Sequence, residues 1–271
     1  MLLFLARGEL ILSECAVSNF KEFEMTIELR LEQAFAERKA LKIISGLNNF
    51  NIQRVAATVK AAEAGGATFV DIAASPELVR AVRQLVDLPI CVSAVEPELL
   101  VSAVEAGADL IEIGNFDCFY ALGRHFSGVE VLELTRKTRS LLPKTTLSVT
   151  VPHILPLDEQ VLLAGALVEA GADIIQTEGG TSSNPIHAGV LGLIEKAAPT
   201  LAAAHSISRA VSVPVLCASG LSNVTVPMAI AAGAAGVGVG SAINQLESEV
   251  AMVAAVRSLA EALTTPVKVP A

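Results

Sequence analysis

Four times along its 271 residues the chain repeats one short phrase, in which a helix-compatible segment ends in Ala-Gly-Ala or a close variant and an apolar run follows. The copies are Ala64-Gly65-Gly66-Ala67 before Phe69 to Ala73, Ala106-Gly107-Ala108 before Leu110 to Gly114, Ala170-Gly171-Ala172 before Ile174 to Glu178, and Ala232-Gly233-Ala234 before Gly236 to Gly240. Glycine accepts the left-handed conformation that ends many helices, so each copy reads as a helix-to-strand turn.

A second theme alternates with the first. Pro89 leads into Ile90 to Val95, Pro143 into Thr146 to Val151, and Pro214 into Val215 to Ser219, while Leu41 to Leu47 supplies an opening strand. The count reaches eight. Each strand is joined to the next by enough chain for a helix, which requires parallel strands and right-handed crossovers. Such a pattern predicts a closed (β/α)8 TIM barrel, with an open doubly wound sheet as the alternative. Prolines at first helical positions beside an acid, in Ser75-Pro76-Glu77 and Glu96-Pro97-Glu98, agree with that reading.

Residues 25 to 39 carry Ile27, Leu29, Leu31, Ala34 and Phe35 among charges, and they predict an extra N-terminal helix covering one end of the barrel. Residues 1 to 24 fall outside the repeat and are expected to be a flexible extension, with Met25 a possible start. The barrel domain is then 25–271, close to the roughly 250 residues typical of this architecture.

Composition narrows the function. The apolar half of the chain is dominated by Ala, Val, Leu and Ile, as suits buried parallel strands under small-residue helices. A net charge of -9 argues against a nucleic-acid partner, although backbone dipoles can still hold a small anion. Met1 to Leu12 is too short to span a bilayer, and the uncharged stretch from Val224 is broken by Pro227 and several glycines, so no membrane segment is expected. Cys15, Cys91, Cys118 and Cys217 show no metal-ligand or paired spacing and read as reduced thiols of an intracellular protein.

Aligning the four copies places Asp71, Glu112, Gln176 and Gly238 at one position. Strand side chains alternate, and a carboxylate facing the surrounding helices would be buried without water or partner, so these acids are expected inside the barrel. Near the C-terminal strand ends that interior becomes the chemical end of the fold. Asp71, Glu112 and Glu178 are therefore candidate acid/base or ligand-binding groups; the alternative is a buried polar network with Lys42, Ser93 or Ser148. Lys42 is the one strand lysine, suited to an interior ion pair or a Schiff base. His153 and His187 sit on loops that can reach the pocket, and His205 reads as structural. No acid pair shows metal-binding spacing, and no metal is expected.

After the seventh strand comes Ala218-Ser219-Gly220-Leu221-Ser222-Asn223, and after the eighth Gly238-Val239-Gly240-Ser241-Ala242. Two glycine-bearing turns at adjacent strand ends let backbone amides approach an anion. Ser219, Gly220, Ser222, Gly238, Gly240 and Ser241 are the candidate phosphate-binding residues.

From Ala218 to Ile243 the chain resembles phosphate-binding barrels such as the tryptophan synthase alpha subunit. Ala108-Asp109-Leu110-Ile111-Glu112-Ile113-Gly114 is similar to that subunit's catalytic strand, and the resemblance implies an acid/base role for Glu112. The chain departs from it after Gly114, at Asn115-Phe116-Asp117. Gln176-Thr177-Glu178-Gly179-Gly180-Thr181 resembles flavin-dependent barrels such as nitronate monooxygenases, which implies FMN as a possible cofactor, with Leu221 in place of their second glycine. From about Lys39 to Leu263 the chain most resembles an uncharacterised barrel family of cyanobacteria and algal plastids, through Lys42-Ile43-Ile44-Ser45-Gly46-Leu47-Asn48-Asn49-Phe50 and Gln176 to Gly180. That resemblance implies a cytoplasmic or stromal barrel.

Three functions follow as expectations. One is a lyase, aldolase-like enzyme or isomerase acting on a phosphorylated small molecule. The others are an FMN-dependent oxidoreductase and a non-catalytic ligand-sensing or partner-binding barrel.

Overall fold

A computed structural model of the protein describes residues 27–120, 122–180 and 183–264. The expectations for residues 1–24, Met25 and Cys15 lie outside the described residues. Eight parallel strands close into a barrel in sequence order: β1 (Ala40–Gly46), β2 (Phe69–Ala73), β3 (Ile90–Ala94), β4 (Leu110–Ile113), β5 (Thr146–Thr150), β6 (Ile174–Gln176), β7 (Val215–Ala218) and β8 (Gly236–Val239). Every repeated glycine phrase lies at the expected helix-to-strand turn. Gly66, Gly107, Gly171 and Gly233 all have positive φ, which is the physical reason glycine recurs there.

The predicted N-terminal helix is present as Ile27–Ala36. Its Leu31 and Phe35 join Ala40, Phe69, Cys91, Leu110, Ile174 and Leu216 in an apolar cluster at the bottom of the barrel. The Phe35 and Phe69 rings meet with centroids 6.1 Å apart. That cluster fills the interior at this end, and the charged layer and cavity described below lie toward the C-terminal ends of the strands. A larger apolar shell lies between strands and outer helices and includes Ile43, Val70, Val92, Ile111, Val149, Ile175, Cys217 and Val237. These alternate along their strands with the interior residues, as the pleat requires.

Several strands end earlier than the hydrophobic pattern predicts. β4 stops at Ile113 rather than Gly114, β6 at Gln176 rather than Glu178, β7 at Ala218 rather than Ser219, and β8 at Val239 rather than Gly240. The apolar or small residues beyond each end leave the hydrogen-bonded ladder and turn over the barrel mouth. Asn115 and Ser219 do so with φ of 59° and 73°, unusual for residues with side chains.

Candidate functional site

Inside the barrel, above the apolar plug, lies a charged layer. Lys42 of β1 reaches across the interior and donates to Glu112 Oε2 of β4 at 2.7 Å, with Asp71 Oδ2 of β2 at 3.8 Å. Residues on strands this far apart meet only through the barrel centre, so the acids of β2 and β4 point inward as expected. Ser148 also donates to Glu112 Oε2 at 2.7 Å, Gln176 Nε2 donates to Oε1 at 2.7 Å, and Ser93 donates to Asp71 Oδ1 at 2.6 Å. Lys42, Asp71 and Glu112 are at most 1% exposed. Burial works against the Lys42 charge, but Glu112 and Asp71 outweigh it and hold the ammonium pKa above its ordinary value. Burial pushes the Asp71 carboxyl up to about 6, with Lys42 pulling in the other direction.

Gly238 explains how this layer fits. A Cβ there would stand 2.9 Å from Ala218 Cβ, 3.1 Å from Ile44 Cδ1 and 3.4 Å from Lys42 Cε. The glycine of β8 thus leaves room for the lysine stem.

Over this layer sits a cavity of about 1070 Å³, lined among others by Ile44, Asn115, Gln176, Glu178, Ser219 and Gly240. Asn115 is its partition from the charged layer, donating from Nδ2 to Asp71 Oδ2 at 3.3 Å and Glu112 Oε1 at 3.5 Å. Lys42, Asp71 and Glu112 do not line the cavity.

Glu178, just past β6, belongs to a different cluster from Asp71 and Glu112. The Tyr120 hydroxyl donates to its Oε1 at 2.6 Å, the His153 backbone N–H donates to the same oxygen at 3.2 Å, and the Asp117 N–H donates to Oε2 at 3.3 Å. His153 Nδ1 lies 3.3 Å from Glu178 Oε1 and 3.4 Å from Asp117 Oδ1. The Tyr120 and His153 rings meet edge to face at 5.1 Å. Burial raises the Glu178 pKa, and Asp117 adds to the rise against the hydrogen bond from His153. For His153 burial acts to lower the pKa, but its hydrogen bond to Glu178 and the two carboxylates win and raise it. Tyr120 is raised as well, first by burial and then by Glu178, so its phenol stays protonated. Two carboxylates and an imidazole with one-atom ligands all within 4.8 Å of one another can share a proton or receive a divalent cation.

The two glycine turns converge on the same cavity, through Ser219 and Gly220 after β7 and Gly240 and Ser241 after β8. Ser219 donates to Asp117 Oδ2 at 2.8 Å, which ties the β7 turn to the Glu178 cluster. Gly220 has φ of 74°, and a Cβ there would stand 2.7 Å from Gly180 Cα, so the β6 and β7 turns pack backbone on backbone. Ser222 is set apart from the lining; its N–H is taken by Thr225 Oγ1 at the start of the next helix.

Of the loop histidines, His153 is in the cluster, whereas His187 is exposed and paired with Glu195. Asp117, Tyr120 and Arg54 were not singled out from the sequence. Arg54, on the helix Ile52–Gly65, is the one basic side chain among the described lining residues. Its position one turn into the helix after β1 is the only signal that marked it.

A closed barrel plugged at one end and open over a built cavity at the other defines the class, a (β/α)8 TIM-barrel protein. Among solved structures, (S)-3-O-geranylgeranylglyceryl phosphate synthase from Thermoplasma acidophilum, in complex with substrate sn-glycerol-1-phosphate, superposes with a TM-score of 0.57 at 16% identity, covering 88% of this chain and 98% of that one. 3-Hexulose-6-phosphate synthase gives 0.57 at 17% identity, covering 82% and 99%. At such identities the likeness is one of fold. The chain itself belongs to the family described as Protein of unknown function (DUF561), whose model matches residues 26–268. It is 49% identical over 195 residues to the uncharacterized protein ycf23 of Cyanophora paradoxa, covering 71% of this chain and 79% of that one. To the ycf23 protein of Pyropia yezoensis it is 40% identical over 239 residues, covering 88% of each. Among the described residues no helix is long and apolar enough to cross a membrane.

Proposed function

We propose that this barrel is an enzyme that holds a phosphorylated small molecule by the turns after β7 and β8 and moves a proton with Glu178, in lyase, aldolase-like or isomerase chemistry. The observation that carries the reading is the Ser219–Asp117 hydrogen bond of 2.8 Å, which puts an anion-suited turn and a proton-sharing cluster on one cavity wall. Arg54 supplies a charge for the phosphate that the rest of the acidic lining does not. Glu178 suits the proton role because burial lifts its pKa above the ordinary carboxylate value and His153 and Tyr120 hold its carboxyl in place. The names of the structural neighbours, a phosphate synthase bound to sn-glycerol-1-phosphate and a thiamine phosphate pyrophosphorylase among them, support a phosphorylated ligand. Lys42, Asp71 and Glu112 serve in this reading as the framework under the cavity floor. Cytoplasm or plastid stroma is the proposed compartment.

Calorimetric titration with inorganic phosphate and a panel of phosphorylated metabolites tests the binding half. On the substrate so found, Glu178→Gln is expected to lower kcat by about 10²–10⁴ while leaving ligand affinity within about threefold. Full activity of that variant would end the assignment. Visible flavin absorption in the purified protein would favour the FMN reading instead, and tight phosphate-ester binding with no turnover would favour a sensor.

A further inference from the structure

At the floor of the cavity one buried acceptor has no partner. Gln176 of β6 is 2% exposed, and its Oε1 and Thr138 Oγ1 are the described buried side-chain atoms that lack a hydrogen-bond partner. Thr138 sits on the outer helix Gly128–Leu141, away from the cavity. Gln176 lines it.

The direction of this amide is fixed by its neighbours. Nε2 donates to Glu112 Oε1 at 2.7 Å and to Thr150 Oγ1 at 3.0 Å, which uses both of its hydrogens. The reverse orientation would set the carbonyl oxygen against a carboxylate oxygen of Glu112, which is only an acceptor when ionised. The adjacent floor group, Asn115, already spends its Nδ2 hydrogens on Asp71 and Glu112. Among the described residues, the buried neutral acceptor at this floor whose hydrogen bond is unmade is thus Gln176 Oε1, pre-oriented by its own amide nitrogen. An ammonium would bring three donors to that one acceptor, whereas a hydroxyl brings one.

From these observations we infer that Gln176 reads a hydroxyl group at the end of the ligand remote from its phosphate, so that the substrate class is a hydroxylated aliphatic phosphate ester of the polyol or sugar type. The inference rests on the phosphate reading of the β7 and β8 turns. Gln176 pairs in register with Leu216, and β7 ends two residues further on at Ala218, just before Ser219. At about 3.3 Å per residue the strand rises roughly 7 Å from the Gln176 level to Ala218, where the turn begins.

The test uses the intact protein and a ligand series that varies one group: inorganic phosphate, n-alkyl phosphates of about four to six carbons, and the matching ω-hydroxyalkyl phosphates. At the length that fits, the hydroxylated ester is expected to bind at least about tenfold more tightly than its alkyl counterpart, against the trend that an apolar floor would give. In Gln176→Met the ratio should collapse while inorganic phosphate binds as before. Equal binding of the two esters by the wild-type protein at every length overturns the assignment, as does a preference that persists in Gln176→Met. Should that variant not fold, the wild-type series alone decides. Binding of none of these compounds, inorganic phosphate included, instead overturns the phosphate reading.

Discussion

Removing the cation from the interior layer should cost the fold more than any loop substitution. Lys42 lies 2.7 Å from Glu112 and 3.8 Å from Asp71, almost wholly out of solvent. At an effective dielectric of about 20 those separations correspond to attractions of about 6 and 4 kcal/mol. Lys42→Met forfeits both, but it also removes the cost of stripping water from the ammonium, several kcal/mol. Asp71, whose carboxyl already titrates near 6, relieves part of the remaining repulsion by taking up a proton. The expected net loss is about 3–5 kcal/mol, a fall in Tm of roughly 10 °C for a chain of this size. Urea unfolding followed by circular dichroism at neutral pH measures it. The double variant Lys42→Met, Glu112→Leu should recover most of the loss, because it replaces the pair rather than stranding one partner, and should retain a deficit of about 1 kcal/mol for the acceptor that Gln176 loses. A single variant within about 1 kcal/mol of wild type, or a double variant less stable than the single, would show that the layer is not a framework ion pair. Reductive trapping of Lys42 by a carbonyl substrate would contradict the same reasoning from the chemical side.

Other expectations are narrower. Asp71 is raised from its ordinary 3.8 to about 6, so the folded state binds its proton more tightly than the unfolded chain. Its contribution is full below about pH 4 and is lost as pH rises through about 6, an amount near 3 kcal/mol; Asp71→Asn should flatten that part of the stability profile, and identical wild-type and variant slopes would refute the shift. Arg54→Gln should weaken inorganic phosphate binding by about 10-fold or more without changing Tm, as titration calorimetry would show; unchanged affinity would place the anion elsewhere. Gly238→Ala should cost about 1–3 kcal/mol in urea unfolding, because its Cβ would press on Ala218 and Ile44, and a neutral effect would mean the interior has slack there.

Which parts of this site were legible in the sequence follows from how each is specified. The glycine phrases fix where helices stop, and strand alternation then fixes which residues face inward, so Asp71, Glu112, Gln176 and Gly238 could be set on one face without coordinates. Layer membership is a local property. Height above the floor is not: Glu178 is two residues beyond Gln176 and was read as its neighbour on the same strand, yet β6 ends at Gln176 and the glutamate turns toward Tyr120 and His153. Nothing periodic marks Asp117 and Tyr120, because they lie on a four-residue helix in the loop after β4. Their partners come from β5, β6 and β7 loops, a convergence that only barrel closure creates.

That division bears on where chemistry belongs in this barrel. In the layer the sequence made legible, nearly every polar atom is already matched: Glu112 is held by Lys42, Ser148 and Gln176, and Asp71 by Ser93, Asn115 and Lys42. Around Glu178 the arrangement differs, because one imidazole nitrogen, His153 Nδ1, faces two carboxylates, 3.3 Å from Glu178 and 3.4 Å from Asp117. That cluster stands on the wall of the cavity and is tied through Asp117 to the β7 turn. In the proposed reading the strands hold the framework, and the proton is moved by the loops that rise from it.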